Sequence, residues 1–139
     1  MKNITKKGKI KLGTLADMNF AVSLGKMTNY EFSATVGYWL GKAASKINSA
    51  AKEYDATRIK ALKKYAKLNP KTKEMELEEG KAIFIEDDAK EKFNAELKEL
   101  HEQMVDCLLI SSEEILNDAQ KEKLKIPGSV WAGIEEILF

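Results

Sequence analysis

The sequence predicts a mainly α fold: a helical bundle with one long helix and a minor β-hairpin or small sheet, with α+β as the second-ranked class. Three observations predict it. The chain has 139 residues, 44% of them hydrophobic and 32% charged, which is enough for one core in a single domain spanning residues 1–139. Two prolines and eight glycines among abundant Ala, Leu, Lys and Glu favour helix over strand. Apolar residues recur at steps of three and four, most clearly Val36, Leu40, Ala43, Ile47, Ala50 and Tyr54.

Residues 1–8 read as a flexible basic arm, carrying Lys2, Lys6 and Lys7, and Lys9-Ile10-Lys11-Leu12 alternates like a short strand or extended segment. Thr14 is placed to cap a first helix, with Asp17 standing in for the Glu of a capping box and Gly25 as its stop. Thr28-Asn29-Tyr30-Glu31 has full capping-box spacing and opens the long helix, which Asn69-Pro70 breaks. Unbroken from Thr28 to Leu68, that helix would be roughly 60 Å long, so one end projects or packs on a partner. Glu74–Leu77 and Lys81–Ile85 flank Glu78-Glu79-Gly80, a three-residue hairpin connection. Asp87 or Asp88 caps the next helix, with Phe93, Leu97, Leu100 and Met104 on one face. Val105 to Ile110 reads as a buried strand or a last helical turn. Ser111 to Glu114 is a second capping box, and Pro127-Gly128-Ser129 starts a final helix containing Val130, Trp131, Ile134, Ile137 and Leu138.

The motifs of familiar chemistry are missing from the sequence. His101-Glu102-Gln103-Met104-Val105 begins like a zinc-protease helix, but Val105 stands where the second histidine belongs. One His and one Cys leave His101 as a helix-surface residue and Cys107 as a small buried hydrophobe. Glu86-Asp87-Asp88 with Glu91 is the densest acidic cluster and suits the positive end of a helix dipole. There is no Gly-rich phosphate loop, so no catalytic residue, cofactor or metal is expected and the chain is read as a non-enzyme. No apolar run approaches the roughly 18–20 residues of a membrane span. The absence of a secretory signal pattern and the single cysteine fit a reducing cytoplasmic setting.

The net charge of +1 hides a division. Residues 1–73 hold 16 basic and 4 acidic side chains, a net of +12; residues 74–139 hold 7 and 18, a net of −11. Arg58, Lys60, Lys63, Lys64, Lys67 and Lys71 form a polyanion-binding candidate along one helix. The competing reading pairs this helix with the acidic one bearing Glu91, Glu96, Glu99 and Glu102, which would fix their register. Gly37 and Gly41, beside Trp39 and Ala44, mark a site of close backbone approach, either within the monomer or in contact with a partner or another copy.

The order of elements resembles a family of small phage and prophage proteins of unknown function. The likeness runs through Gly13-Thr14-Leu15, Lys63-Lys64-Tyr65-Ala66, the segment from Phe93 to Leu100, and Leu124 to Ile134 with its Ile126-Pro127-Gly128-Ser129-Val130-Trp131 core. The Gly37/Gly41 pair and the long Lys-rich helix depart from it. The resemblance implies a viral origin inside a bacterial cell and carries over no catalytic residues. Together these readings predict a phage-type accessory protein that binds another protein or its own copies as a homo-oligomer. Its role would be that of a virion or assembly component or an inhibitor of a host defence enzyme. It would act in the bacterial cytoplasm or the virion, with no membrane partner. The alternative is a nucleic-acid-binding helical module using residues 58–73.

Overall fold

The computed structural model describes residues 3–139. Met1 and Lys2, at the start of the expected basic arm, lie outside them. Strand β1 (Thr5–Lys11) leads into a one-turn helix α1 (Leu12–Leu15), then α2 (Met18–Thr28) and the long α3 (Ala34–Tyr65). A small hairpin, β2 (Leu77–Glu78) and β3 (Lys81–Ala82), precedes α4 (Ala89–His101). Strand β4 (Met104–Ile110), α5 (Ser112–Lys121), α6 (Gly128–Gly133) and a 3₁₀ turn (Glu135–Ile137) complete the chain. The fold is mainly α with minor antiparallel sheet.

The core gathers around the first half of α3. Val36, Leu40, Ala43, Ala44 and Ile47 pack with Phe20, Leu24 and Met27 of α2, and with Ile10, Cys107 and Ile110 of the β1–β4 ribbon. Ile115, Val130, Ile134 and Ile137 close it from α5, α6 and the 3₁₀ turn. Ile10, Met27, Leu40, Ile110, Ile115, Ile134 and Ile137 are sealed from solvent, and each such side chain contributes about 1.5–3 kcal/mol relative to exposure.

Several boundaries differ from those expected. Residues 5–8 are not an arm: β1 pairs antiparallel with β4 from Thr5↔Ile110 to Lys11↔Met104. The same ladder makes 104–110 a strand rather than a helical turn. A side chain at Gly8 would collide with that of Leu109, so glycine lets Leu109 lie across the strand. Asp17, not Thr14, caps α2, its carboxylate accepting from Asn19 N at 2.9 Å. Helix α2 passes through Gly25, and the Thr28 hydroxyl donates back to Gly25 O at 2.9 Å, closing this helix instead of opening the next. Between them Tyr30 and Phe32 turn against the core as an edge-to-face pair. Asp118 of α5 then accepts from Ser33 N at 2.9 Å, immediately before α3.

Helix α3 has 32 residues, about 48 Å at 1.5 Å per residue. Its first half lies in the core. Its second half runs antiparallel to α4, with Tyr54 buried beside His101 and with Ala66, Ala89 and Phe93 buried outside the main core. At its end the backbone becomes extended at Ala66 and joins the hairpin in a three-way junction. Lys67 N donates to Ile83 O at 2.7 Å while Lys67 O accepts from Glu76 N at 2.9 Å, so one residue ties both hairpin arms to the helix end. The hairpin turn is the two-residue pair Glu79-Gly80, with φ of 52° and 78°, and not the expected three-residue connection. Asp88 sits at the N-cap of α4, but its carboxylate pairs with Lys92 at 3.3 Å and makes no cap bond. Half of the expected capping box at Ser111 forms: Glu114 N donates to Ser111 Oγ at 3.3 Å, while Ser111 N donates to Ile4 O at 2.7 Å in place of the Glu114 carboxylate.

Candidate interaction surfaces

The buried stripe of α3 fixes which way its other residues face. Val36, Leu40, Ala43 and Ile47 point into the core, so Ala34, Gly37, Tyr38, Gly41 and Ser45 lie outward at helical spacing. A Cβ at Gly37 or Gly41 would meet nothing within 4 Å. The close approach expected at these glycines is therefore not made among the described residues. Tyr38, between them, is 61% exposed and meets Trp39 edge to face at 5.1 Å, and the Lys42 ammonium lies 5.5 Å from the Trp39 ring. Trp39 itself is half-buried against the core, and Ala44 is buried in it. These two expected partner-facing residues are thus packing residues, while Tyr38 is the outward aromatic. The neighbouring helix has a similar surface: Met18, Ala21, Val22 and Gly25 form an uncharged outward face of α2.

The basic candidates divide. Arg58 is held by Asp55 at 2.9 Å and Lys64 by Glu96 at 3.0 Å, a bond that raises the Lys64 ammonium above its ordinary pKa. Lys60, Lys63, Lys67 and Lys71 are exposed, with no acid at ion-pair distance among the described residues. Lys64–Glu96 is, among the described residues, the ion pair that joins α3 to α4; Glu102 is instead bound by Lys11 of β1 at 3.1 Å. The expected pairing of basic with acidic helix is thus made at one point and supplemented from another element. In the three-way junction Lys67 is bonded through its backbone to Glu76, which brings acidic residues close to the basic stretch.

His101 is not a plain surface residue. Its Nε2 shares a 2.7 Å hydrogen bond with the Tyr54 hydroxyl and its ring stacks on the Tyr54 ring at 5.6 Å. Burial raises the Tyr54 hydroxyl pKa above its usual value. His101 also borders a groove of about 360 Å³ whose polar lining includes Lys11, Thr14, Asp17, Glu102, Glu135 and Glu136. Cys107 is 3% exposed on β4, and desolvation pushes its thiol pKa up. Among the described residues no three His, Cys, Asp or Glu side chains gather as metal ligands would. Lys92 holds the Asp88 carboxyl below its ordinary range, which gives part of the acidic cluster a local ion-pairing role. No helix among the described residues is long and apolar enough to cross a membrane.

Sequence reading missed three features. Tyr38 was detectable as the wheel position opposite the Val36–Ile47 stripe. Alternation of Met75 with Leu77 and of Ala82 with Phe84 marked an apolar sheet face. The Asp118 contact with Ser33 had no local signal, since 85 residues separate the partners. Comparison with protein-family models, curated proteins and solved structures finds no match to this chain.

Proposed function

We propose that this chain is a non-enzymatic accessory protein of phage type that acts by binding another protein through the outward face of α3. The open space at Gly37 and Gly41 carries the reading. Each glycine weakens the helix by about 0.5–1 kcal/mol relative to alanine, and among the described residues no group uses the room it leaves. A helix from a partner could approach there with Tyr38 as its aromatic anchor. The phage origin, and with it a site of action in the bacterial cell or the virion, rests on the resemblance of the Lys63–Ala66, Phe93–Leu100 and Leu124–Ile134 segments. Whether the partner is a virion component or a host defence enzyme is decided by its identity.

A photo-crosslinker placed at position 38 tests this in infected or expressing bacteria. The expected result is one dominant protein adduct that disappears with Gly41→Gln, while thermal unfolding shows the variant at least as stable as the parent. No adduct, or an adduct indifferent to Gly41→Gln, would refute it. The exposed Lys60, Lys63, Lys67 and Lys71 support a second reading, nucleic-acid binding. It requires salt-dependent binding that Lys63→Glu with Lys67→Glu removes.

A further inference from the structure

The three-way junction has an apolar face. Directly paired residues share a side of a sheet, and so do alternate residues along a strand. The pairs Ala66↔Phe84, Leu68↔Met75 and Leu77↔Ala82 therefore place six apolar side chains on one side. Lys67, Glu76, Glu78, Lys81 and the apolar Ile83 alternate with them onto the other side. Ala66 is buried, and Phe84 meets Phe93 of α4 at 6.3 Å, so α4 covers one end of this face. The other end is open: Leu77 is 59% exposed and Leu68 36%.

Charge flanks the face with opposite signs. The turn after Leu68 carries exposed Lys71 and Lys73 against Glu74, and the segment after Phe84 carries exposed Glu86, Asp87, Asp88 and Glu91 against Lys90 and Lys92, so base is in excess at one end and acid at the other. Because Leu68 pairs with Met75 and Ala66 with Phe84, these two groups lie at opposite ends of the 66–68 segment. Such a patch is complementary to itself. A twofold axis lying in the interface, perpendicular to the line joining the charged ends, would bring each basic turn against the acidic segment of the other copy.

We infer that the open end of this sheet face docks a second copy of the chain in an isologous dimer, with Leu77 and Leu68 at its centre. This surface is distinct from the outward face of α3. With Leu77 and Leu68 as the exposed apolar residues at its centre, the dimer is expected to be weak and concentration-dependent.

Sedimentation equilibrium of the full chain over a wide concentration range is the test. The wild type should show reversible dimerisation that weakens with salt, and Leu77→Asp should weaken it by about tenfold or more. Lys71→Glu with Lys73→Glu should abolish it, as should Glu86→Lys with Asp87→Lys. An equimolar mixture of these two doubly reversed proteins should dimerise again, since every repulsive pair becomes attractive. Circular dichroism on each variant checks that it remains folded. A wild type that stays monomeric overturns the inference. So does a mixture that fails to dimerise, or an association lost in Gly41→Gln but untouched by Leu77→Asp.

Discussion

Gly37→Ala and Gly133→Ala have opposite expected effects, although both glycines belong to helices. At Gly37 a methyl group enters open space and only the helix propensity changes, so the substitution should stabilise by about 0.5–1 kcal/mol. At Gly133 the added carbon would overlap the Ser23 side chain, where α6 lies close against α2, and a loss of about 1–3 kcal/mol is expected. Urea unfolding of the two variants checks both signs. Cys107 yields a second residue-scale prediction. Its raised folded-state pKa means that the protonated thiol's contribution to stability is fully present below the ordinary thiol range. That contribution is lost as pH rises through the folded value. The thiol should resist alkylation at neutral pH in the folded protein and react on addition of denaturant. The small-hydrophobe role of Cys107 was legible from composition; the Tyr54 partner of His101 was not, because 47 residues separate them.

Elements were legible where a local signal met no tertiary competitor. Two capping boxes stand in the sequence, Thr28–Glu31 and Ser111–Glu114, and only the second opens a helix. A cap contributes about 1 kcal/mol, whereas turning Tyr30 and Phe32 against the core takes much of two aromatic side chains out of water. Aromatic burial outweighs the cap, and α3 starts later, at Ala34. Its N-terminal approach is then fixed by Asp118 from α5. Asp118→Ala should cost about 1–2 kcal/mol in chemical denaturation, while Asp17→Ala, which removes a local cap, should cost about 1 kcal/mol. The strand β1 was only half visible in the alternation of residues 9–12, because Lys6, Lys7 and Gly8 have no strand propensity of their own. They are extended because β4 supplies their backbone partners.

At the scale of the whole molecule, apolar burial divides unevenly along α3. Its first half shares the main core with β1, β4, α2, α5 and α6, whereas in its second half, α4 and the hairpin the buried side chains outside that core are Tyr54, Ala66, Ala89 and Phe93. Hydrogen exchange should therefore show amides of 77–85 opening at lower free energy than those of 40–47 and 105–110. Uniform protection across these segments would contradict the division. The two oppositely charged halves of the sequence also meet in the fold, at Lys64–Glu96, at Lys11–Glu102, and where Lys9 stands opposite Asp106 on the ribbon. What the sequence determined by itself was the helical character, the long Lys-rich helix, the hairpin and the location of the charge. These follow from propensity and periodicity over a few turns of chain. Only the tertiary structure decided which face of α3 is open, that the first strand reaches back to Thr5, and that six apolar residues from three segments share one side of a small sheet. Those features depend on backbone pairing and burial between residues far apart in sequence, and no local pattern specifies which distant partner will supply them.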